Sequence, residues 1–275
     1  MLKLMRAAES MLERTLPPLA FCHFQETLRP AMDRRLRNGL TRRVSREGET
    51  FRIDWSDGSH FYFQHQRRYA RYMMLKGASA VKAEMLAKYQ DERVFIPAGG
   101  VVVEAGANAG EFTVAAAEIG SRVYTFDPDP NIMASLRANT AHLTNVQIEQ
   151  AALGDHDGEV TFFLNHAGAD SSMIEPDEGW TDKTTVQMVS LATFLEVNGI
   201  PAVDFFKVEA EGAEPEILAG TDFARIKRIA VDCGPERHGQ PTFVECEAIL
   251  HKAGFTTWRR DGRYHILFGE NPALI

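Results

Sequence analysis

The sequence predicts an α/β fold: a doubly wound, mostly parallel sheet with helices on both faces, preceded by a smaller extension of helices and a β-hairpin. Three observations predict it. From residue 100 onward short apolar strands alternate with helical segments, which makes successive strands parallel. The last two strands are joined by Asp261-Gly262, a dipeptide of tight turns, so they should pair antiparallel. Residues 50–63, FRIDWSDGSHFYF, alternate apolar and polar side chains around Asp57-Gly58, the pattern of a separate hairpin.

The elements follow in order. Residues 1–40 read as helical, with Pro17-Pro18 breaking the first helix and Arg29-Pro30 marking another boundary. The stretch MLKLMRAAESMLERTL has the spacing of an amphipathic helix and lacks the apolar core of a signal peptide. After the hairpin, residues 66–90 return to helical spacing through Tyr69, Tyr72, Met73, Leu75, Val81, Met85 and Leu86. Ile96-Pro97-Ala98-Gly99-Gly100 punctuates the chain and sets a domain boundary near 95, dividing an extension (1–95) from a ligand-binding domain (96–275). Strands are then expected at 101–105, 122–126, 146–150, 159–165, 186–190, 203–209, 227–232, 255–260 and 264–269. Helices are expected at 110–119, 130–141, 191–198, 214–219 and 241–253, with a polar stretch over 166–185.

Composition bounds the function. At 275 residues, 44% hydrophobic and 25% charged, the chain can bury a core of ordinary size. Three scattered cysteines without a CxxC pair suit a reduced, cytoplasmic protein better than a disulfide framework or a zinc site. No apolar run approaches the roughly 18 residues of a membrane span. The net charge of −8 conceals an asymmetry: residues 1–95 carry 18 Lys+Arg against 11 Asp+Glu, and the remainder 12 against 27. A basic front end can meet phosphates, a membrane surface or RNA, or be a solvated face.

Ligands of such sheets bind outside the carboxyl ends of the strands. There the first strand of the domain runs into Glu104, Gly106, Asn108 and Gly110, a G-x-N-x-G turn. A dinucleotide fingerprint needs G-x-G-x-x-G, so the spacing points to a smaller nucleoside ligand, or to a tight turn without one. Asp127 ends the next strand, where a carboxylate can accept hydrogen bonds from ribose hydroxyls or serve as a first-turn helix acid. Ala151 and Ala152 are small enough to flank a flat base. The segment VDFFKVEAEGAEPEIL carries Lys207, Glu209, Glu211 and Glu214 around Gly212, acids able to act as base, bind an amino group or hold a cation.

Together, VVVEAGANAGEFT, VYTFDPDPNIMASLRANT and DFFKVEAEGAEPEIL resemble the FkbM family of S-adenosylmethionine-dependent methyltransferases, over about residues 100–260. The resemblance implies a class I methyltransferase fold, Rossmann-like, with a seven-stranded sheet and the antiparallel end noted above. It also implies O-methylation, often of sugar hydroxyls on natural products, polysaccharides or glycolipids. It would place the methionine part of the cofactor on Glu104, Gly106, Asn108 and Gly110, and the ribose on Asp127. Lys207, Glu209, Glu211, Gly212 and Glu214 match the family's K-x-D-x-E-G-x-E block. Two departures stand out. Glu209 replaces the usual Asp, and Ala192 in VSLATFL stands where the family carries an aspartate after leucine.

Transfer to an alcohol requires removal of the acceptor proton as the bond forms. Candidate catalytic residues are Glu209, Glu211, His238 and Lys207, with His238 also readable as a surface-loop histidine. Glu209 with Asp232 could instead hold Mg²⁺ through oxygen ligands, as in catechol-type O-methyltransferases. Ser171, Ser172 and Trp180, in the polar stretch, are candidate acceptor contacts. The expected partner is a small-molecule, sugar or glycolipid acceptor, with no DNA and with homo-oligomerisation left open. Two alternatives differ in class: an RNA methyltransferase using the basic front end, and a non-catalytic cofactor-binding protein.

Overall fold

The computed structural model describes residues 11–13, 15–32, 42–74, 77–165, 170–177, 180–260 and 264–275. The chain divides into two compact units, Met1–Val81 and Lys82–Ile275.

The first unit holds helix α1 (Pro18–Met32), strands β1 (Arg42–Glu47), β2 (Thr50–Trp55) and β3 (His60–Phe63), and the short helix α2 (Tyr69–Met74). The expected hairpin is β2–β3, with Asp54 opposite His60. Asp57 fixes its turn by accepting from the Ser59 amide at 2.9 Å. Strand β1 was not anticipated; it completes a three-stranded antiparallel meander. Phe51, Phe63 and Tyr72 stack beneath it, with centroids 5.4 and 5.3 Å apart. Helix α1 starts at Pro18, where a missing N–H costs nothing. It runs past Arg29-Pro30 to Met32, so that pair does not end it. The amphipathic reading of residues 1–10 falls outside the described residues. The helical stretch expected over 66–90 is broken into α2 and α3 (Gly77–Tyr89), and α3 spans the division between the units.

The second unit is built on a seven-stranded sheet. Its strands are β4 (Val101–Ala105), β5 (Arg122–Phe126), β6 (Val146–Glu149), β10 (Phe205–Val208), β11 (Arg228–Asp232), β12 (Thr256–Arg259) and β13 (Ile266–Glu270), in the order β12-β13-β11-β10-β4-β5-β6. All neighbours run parallel except β13, which is antiparallel to both β11 and β12. The antiparallel end is therefore as expected, although the Asp261-Gly262 turn lies outside the described residues. Central strands β4 and β10 are buried almost throughout, as the apolar runs VVVEA and FFKV require of strands covered on both faces. Helices α4 (Glu111–Glu118), α5 (Met133–Thr140), α6 (Leu191–Val197), α7 (Glu214–Ala219) and α8 (Phe243–Lys252) connect the strands.

Two expected strands leave the main sheet. Strands β8 (Gly158–Leu164) and β9 (Asp182–Ser190) pair antiparallel and, with β7 (Ala152–Gly154), form a second sheet of order β7-β9-β8. Strand β9 begins four residues earlier than its hydrophobicity suggests. Its first half is largely exposed, so no apolar alternation announces it; pairing with β8 from Asp182↔Leu164 to Met188↔Gly158 holds it extended.

Candidate active site

From β4 the chain winds outward in one direction through β5 and β6, and in the other through β10 and β11. The carboxyl ends of β4 and β10 therefore flank the crevice where such sheets bind ligands. The glycine turn sits there. Gly106 has φ 79°, and a Cβ on it would lie 1.8 Å from the carbonyl oxygen of Glu209 on the neighbouring strand. Gly110 has φ 88°, and its Cβ would lie 2.7 Å from a methyl of Leu136. Both positions need glycine for conformation and for space. The Gly106 and Ala107 amides donate to the Phe126 carbonyl at 2.9 and 3.1 Å, which stitches the turn to the end of β5.

Asp127 follows β5 and is buried. Its Oδ2 accepts from the Asn108 amide at 2.8 Å and its Oδ1 from the Asp129 amide at 3.0 Å. Burial pushes its pKa up to about 7, against the lowering effect of those two amides. Each oxygen keeps a lone pair beyond its backbone bond. Asp129 turns away and caps Asn131, whose amide donates at 2.8 Å, and it also accepts from Ser171 at 2.9 Å. Ala152 is buried in β7 and Ala151 half-buried before it.

Beneath the turn lies a charged floor. The Lys207 ammonium, fully buried, donates to the Gly106 carbonyl at 2.5 Å and pairs with Glu209 at 3.0 Å and Glu104 at 3.4 Å. Glu104 also accepts from Thr113 at 2.5 Å and Thr125 at 2.9 Å, so it braces the floor from below. Burial raises the Glu104 pKa despite Lys207. Burial alone would lower that of Lys207, but the carboxylates of Glu209 and Glu104 hold it raised.

Glu209 lies between two ammonium groups. Its second oxygen meets Lys88 at 2.6 Å, and Lys88 also meets Asp232 at 2.7 Å. Burial opposes ionisation of Glu209, yet Lys207 and Lys88 together hold its pKa well below the usual carboxylate range. Glu209 and Asp232 thus come together, but the pair does not fit a divalent ion, because a lysine ammonium already bridges it. Among the described residues no group of three or more His, Cys, Asp or Glu has the arrangement of a metal centre.

The loop after β10 carries the remaining acids. Glu214 is buried in the first turn of α7 and accepts from the Ala210 and Gly212 amides at 3.1 and 3.0 Å and from Thr242 at 3.1 Å. It shapes the loop, and burial pushes its pKa up to about 7. Gly212 (φ 97°) lies against the Arg237 backbone, 3.2 Å from where its Cβ would be. Glu211, partly exposed, has its pKa raised well above normal by desolvation and then by the neighbouring Glu209, Asp170 and Glu236. His238 is exposed and bonds Asp177 of the β8–β9 connection at 2.8 Å. Ser172 is buried and donates to the Glu211 carbonyl at 2.9 Å, so it tethers that connection rather than lining a pocket. Trp180 packs edge-on against Phe163 at 5.5 Å and keeps 37% of its surface exposed.

Residues 104–257 match the Methyltransferase FkbM domain. The chain belongs to the FkbM methyltransferase family. Over 192 residues it is 29% identical to the 31-O-demethyl-FK506 methyltransferase FkbM of Streptomyces tacrolimicus, covering 58% of this chain and 73% of that protein. Among solved structures it is similar to the fibrillarin of Aeropyrum pernix with natively bound S-adenosyl-L-methionine. That likeness has 12% identity, 84% of this chain, 98% of that one and a TM-score of 0.43. It is also similar to the magnesium protoporphyrin IX methyltransferase of Synechocystis PCC 6803 with bound SAM, at 15% identity, 70% of this chain, 77% of that one and a TM-score of 0.40. The FkbM match begins at Glu104 and so leaves out Lys88, a site residue that sequence reading missed. A lysine in the last turn of a helix reads as a solvated cation, and nothing local distinguishes this one.

Proposed function

We propose that this FkbM-family protein is an O-methyltransferase that moves a methyl group from S-adenosylmethionine to a hydroxyl of a sugar, glycolipid or natural product. The observation that carries the reading is the glycine turn ending on buried Asp127 at the crevice between β4 and β10, beside an acid-rich strand end. Membership of the family supplies methyl transfer, and the name of the Streptomyces relative supports an oxygen acceptor.

The residues present fit this donor. Gly106 and Gly110 leave a cradle that a Cβ would fill, and the open lone pairs of Asp127 suit two ribose hydroxyls. Ala151 and Ala152 would flank the adenine, while the turn at Gly106, Asn108 and Gly110 would hold the methionine part, with Glu104 bracing it through Lys207. When bound, the donor supplies an electrophilic methyl on a sulfonium. The chain must align the acceptor in line and take its proton. Glu211, in its ionised form, would take that proton: it stands among acids, whereas Lys207 and Lys88 pair with Glu209. The hydroxyl proton passes to Glu211 as the O–C bond forms and the C–S bond breaks, leaving S-adenosylhomocysteine. His238, hydrogen-bonded to Asp177, would contact the acceptor.

Calorimetry with S-adenosylhomocysteine tests the donor site. Micromolar binding is expected, weakened at least about tenfold in Asp127→Ala, the loss of one charge-assisted hydrogen-bond set. No binding by the wild type, or none of that loss, sinks the reading. Isotope-labelled methyl transfer to host extract, with fragmentation of the labelled product, then tests whether the methyl sits on oxygen.

A further inference from the structure

We propose that Lys88 is a resident cation of the acceptor side of the site, a positioning residue held where a divalent ion would otherwise bridge Glu209 and Asp232. This rests on the methyl-transfer reading for its function, though not for its geometry. The ammonium lies 2.6 Å from Glu209, just after β10, and 2.7 Å from Asp232, the last residue of β11. Its side chain is 14% exposed, so both pairs are largely shielded from water. The ring of Tyr89 lies beneath it at 4.8 Å and that of Tyr264 at 5.9 Å, two faces that favour a cation.

The backbone around Lys88 is clamped. Arg260 donates to the Lys88 carbonyl at 2.8 Å and to the Gln90 carbonyl at 3.0 Å, satisfying acceptors that the end of α3 leaves open. Trp258 anchors the following turn through Asp91 at 2.6 Å. Salt bridges at a solvated surface lack such support. Lys88 has three N–H donors and commits two to carboxylates, which leaves one for an acceptor oxygen. Removing its charge would leave Glu209 and Asp232 facing each other with only Lys207 as counter-charge. A small divalent ion is the natural replacement for what was lost.

Titration with Mn²⁺, followed by electron paramagnetic resonance of the free ion, tests this. The wild type is expected to take up no stoichiometric Mn²⁺ below about millimolar concentration, the range of weak oxygen sites. Lys88→Ala should gain one ion per chain, bound at least tenfold more tightly. The gain should vanish in Lys88→Ala/Asp232→Asn and be absent in Lys88→Arg, which keeps the charge. If Lys88→Ala does not fold, Lys88→Gln removes the charge while keeping hydrogen bonds and carries the same titration. Stoichiometric Mn²⁺ binding by the wild type that Asp232→Asn abolishes overturns the proposal, as does a folded, charge-removed variant that gains no affinity. S-adenosylhomocysteine calorimetry run alongside separates the two readings, since the donor can fail to bind while the Mn²⁺ pattern holds.

Discussion

Asn108, Glu211 and His238 are the described non-glycine residues with left-handed backbone, at φ 51°, 51° and 52°. All three stand in the loops that surround the crevice, and such strain persists where surrounding structure fixes it for a purpose. Asn108 presents its amide to Asp127, and Glu211 is held by Ser172 at its carbonyl. Gly106 is the least replaceable residue among them. In Gly106→Ala the new methyl meets the Glu209 carbonyl at 1.8 Å and the backbone stays left-handed, at a cost of at least about 2 kcal/mol. The expected result is a thermal midpoint lowered by several degrees with S-adenosylhomocysteine binding lost, read by melting and calorimetry. That glycine was legible in the sequence because its spacing belongs to a strand–turn–helix. The different surroundings of Glu209 and Glu211 were not: both are acids two residues apart, and only the fold puts one between two lysines and the other among acids.

At the scale of elements, the described part of the connection between β8 and β9, residues 170–177, is tied to the loops at the ends of the main-sheet strands. It is pinned by Ser171 to Asp129, by Ser172 to Glu211 and by Asp177 to His238. Ser172 also accepts from the Ile174 amide at 3.0 Å. Ser172→Ala removes these bonds while keeping the backbone bridge to Phe163, a loss of about 1–2 kcal/mol. Amide exchange over residues 170–177 should then speed up roughly tenfold while the central strands keep their protection; unchanged exchange would show that the tether carries no local stability. The central strands of the main sheet were legible as apolar runs because both of their faces are buried. The second sheet was not, because β9 is largely exposed and its conformation comes from its partner β8.

Across the Lys82–Ile275 unit, buried acids set a pH dependence of stability. Asp127 and Glu214 are each pushed to about 7 in the folded state, above the ordinary 3.8 and 4.5. Between those values the folded chain binds more protons than the unfolded one, so stability falls as pH rises from about 4 to 7 and levels off above. Each group contributes at most about 3–4 kcal/mol to that fall. Melting at pH about 5.5 and about 8 should show the higher midpoint at the lower pH, with the difference reduced in Asp127→Asn. Glu209 acts in the opposite sense and at more acid pH, since its folded pKa is depressed: its contribution is lost as pH falls through that lower value. A steeper melt difference in Asp127→Asn than in the wild type would reverse the assignment.

The sequence by itself determined the alternation of strands and helices in the main sheet, its antiparallel end, the glycine turn and the family, because these rest on local periodicity and on residues close together in the chain. It could not determine which charges meet. Lys88 is 121 positions from Glu209, and the docking of the end of α3, held by Arg260 at the Lys88 and Gln90 carbonyls, brings them within hydrogen-bond reach. Ionisation depends on burial and on neighbours across strands, so only the tertiary structure decided that Glu209 meets Lys88 and Lys207 and that Lys88 also meets Asp232.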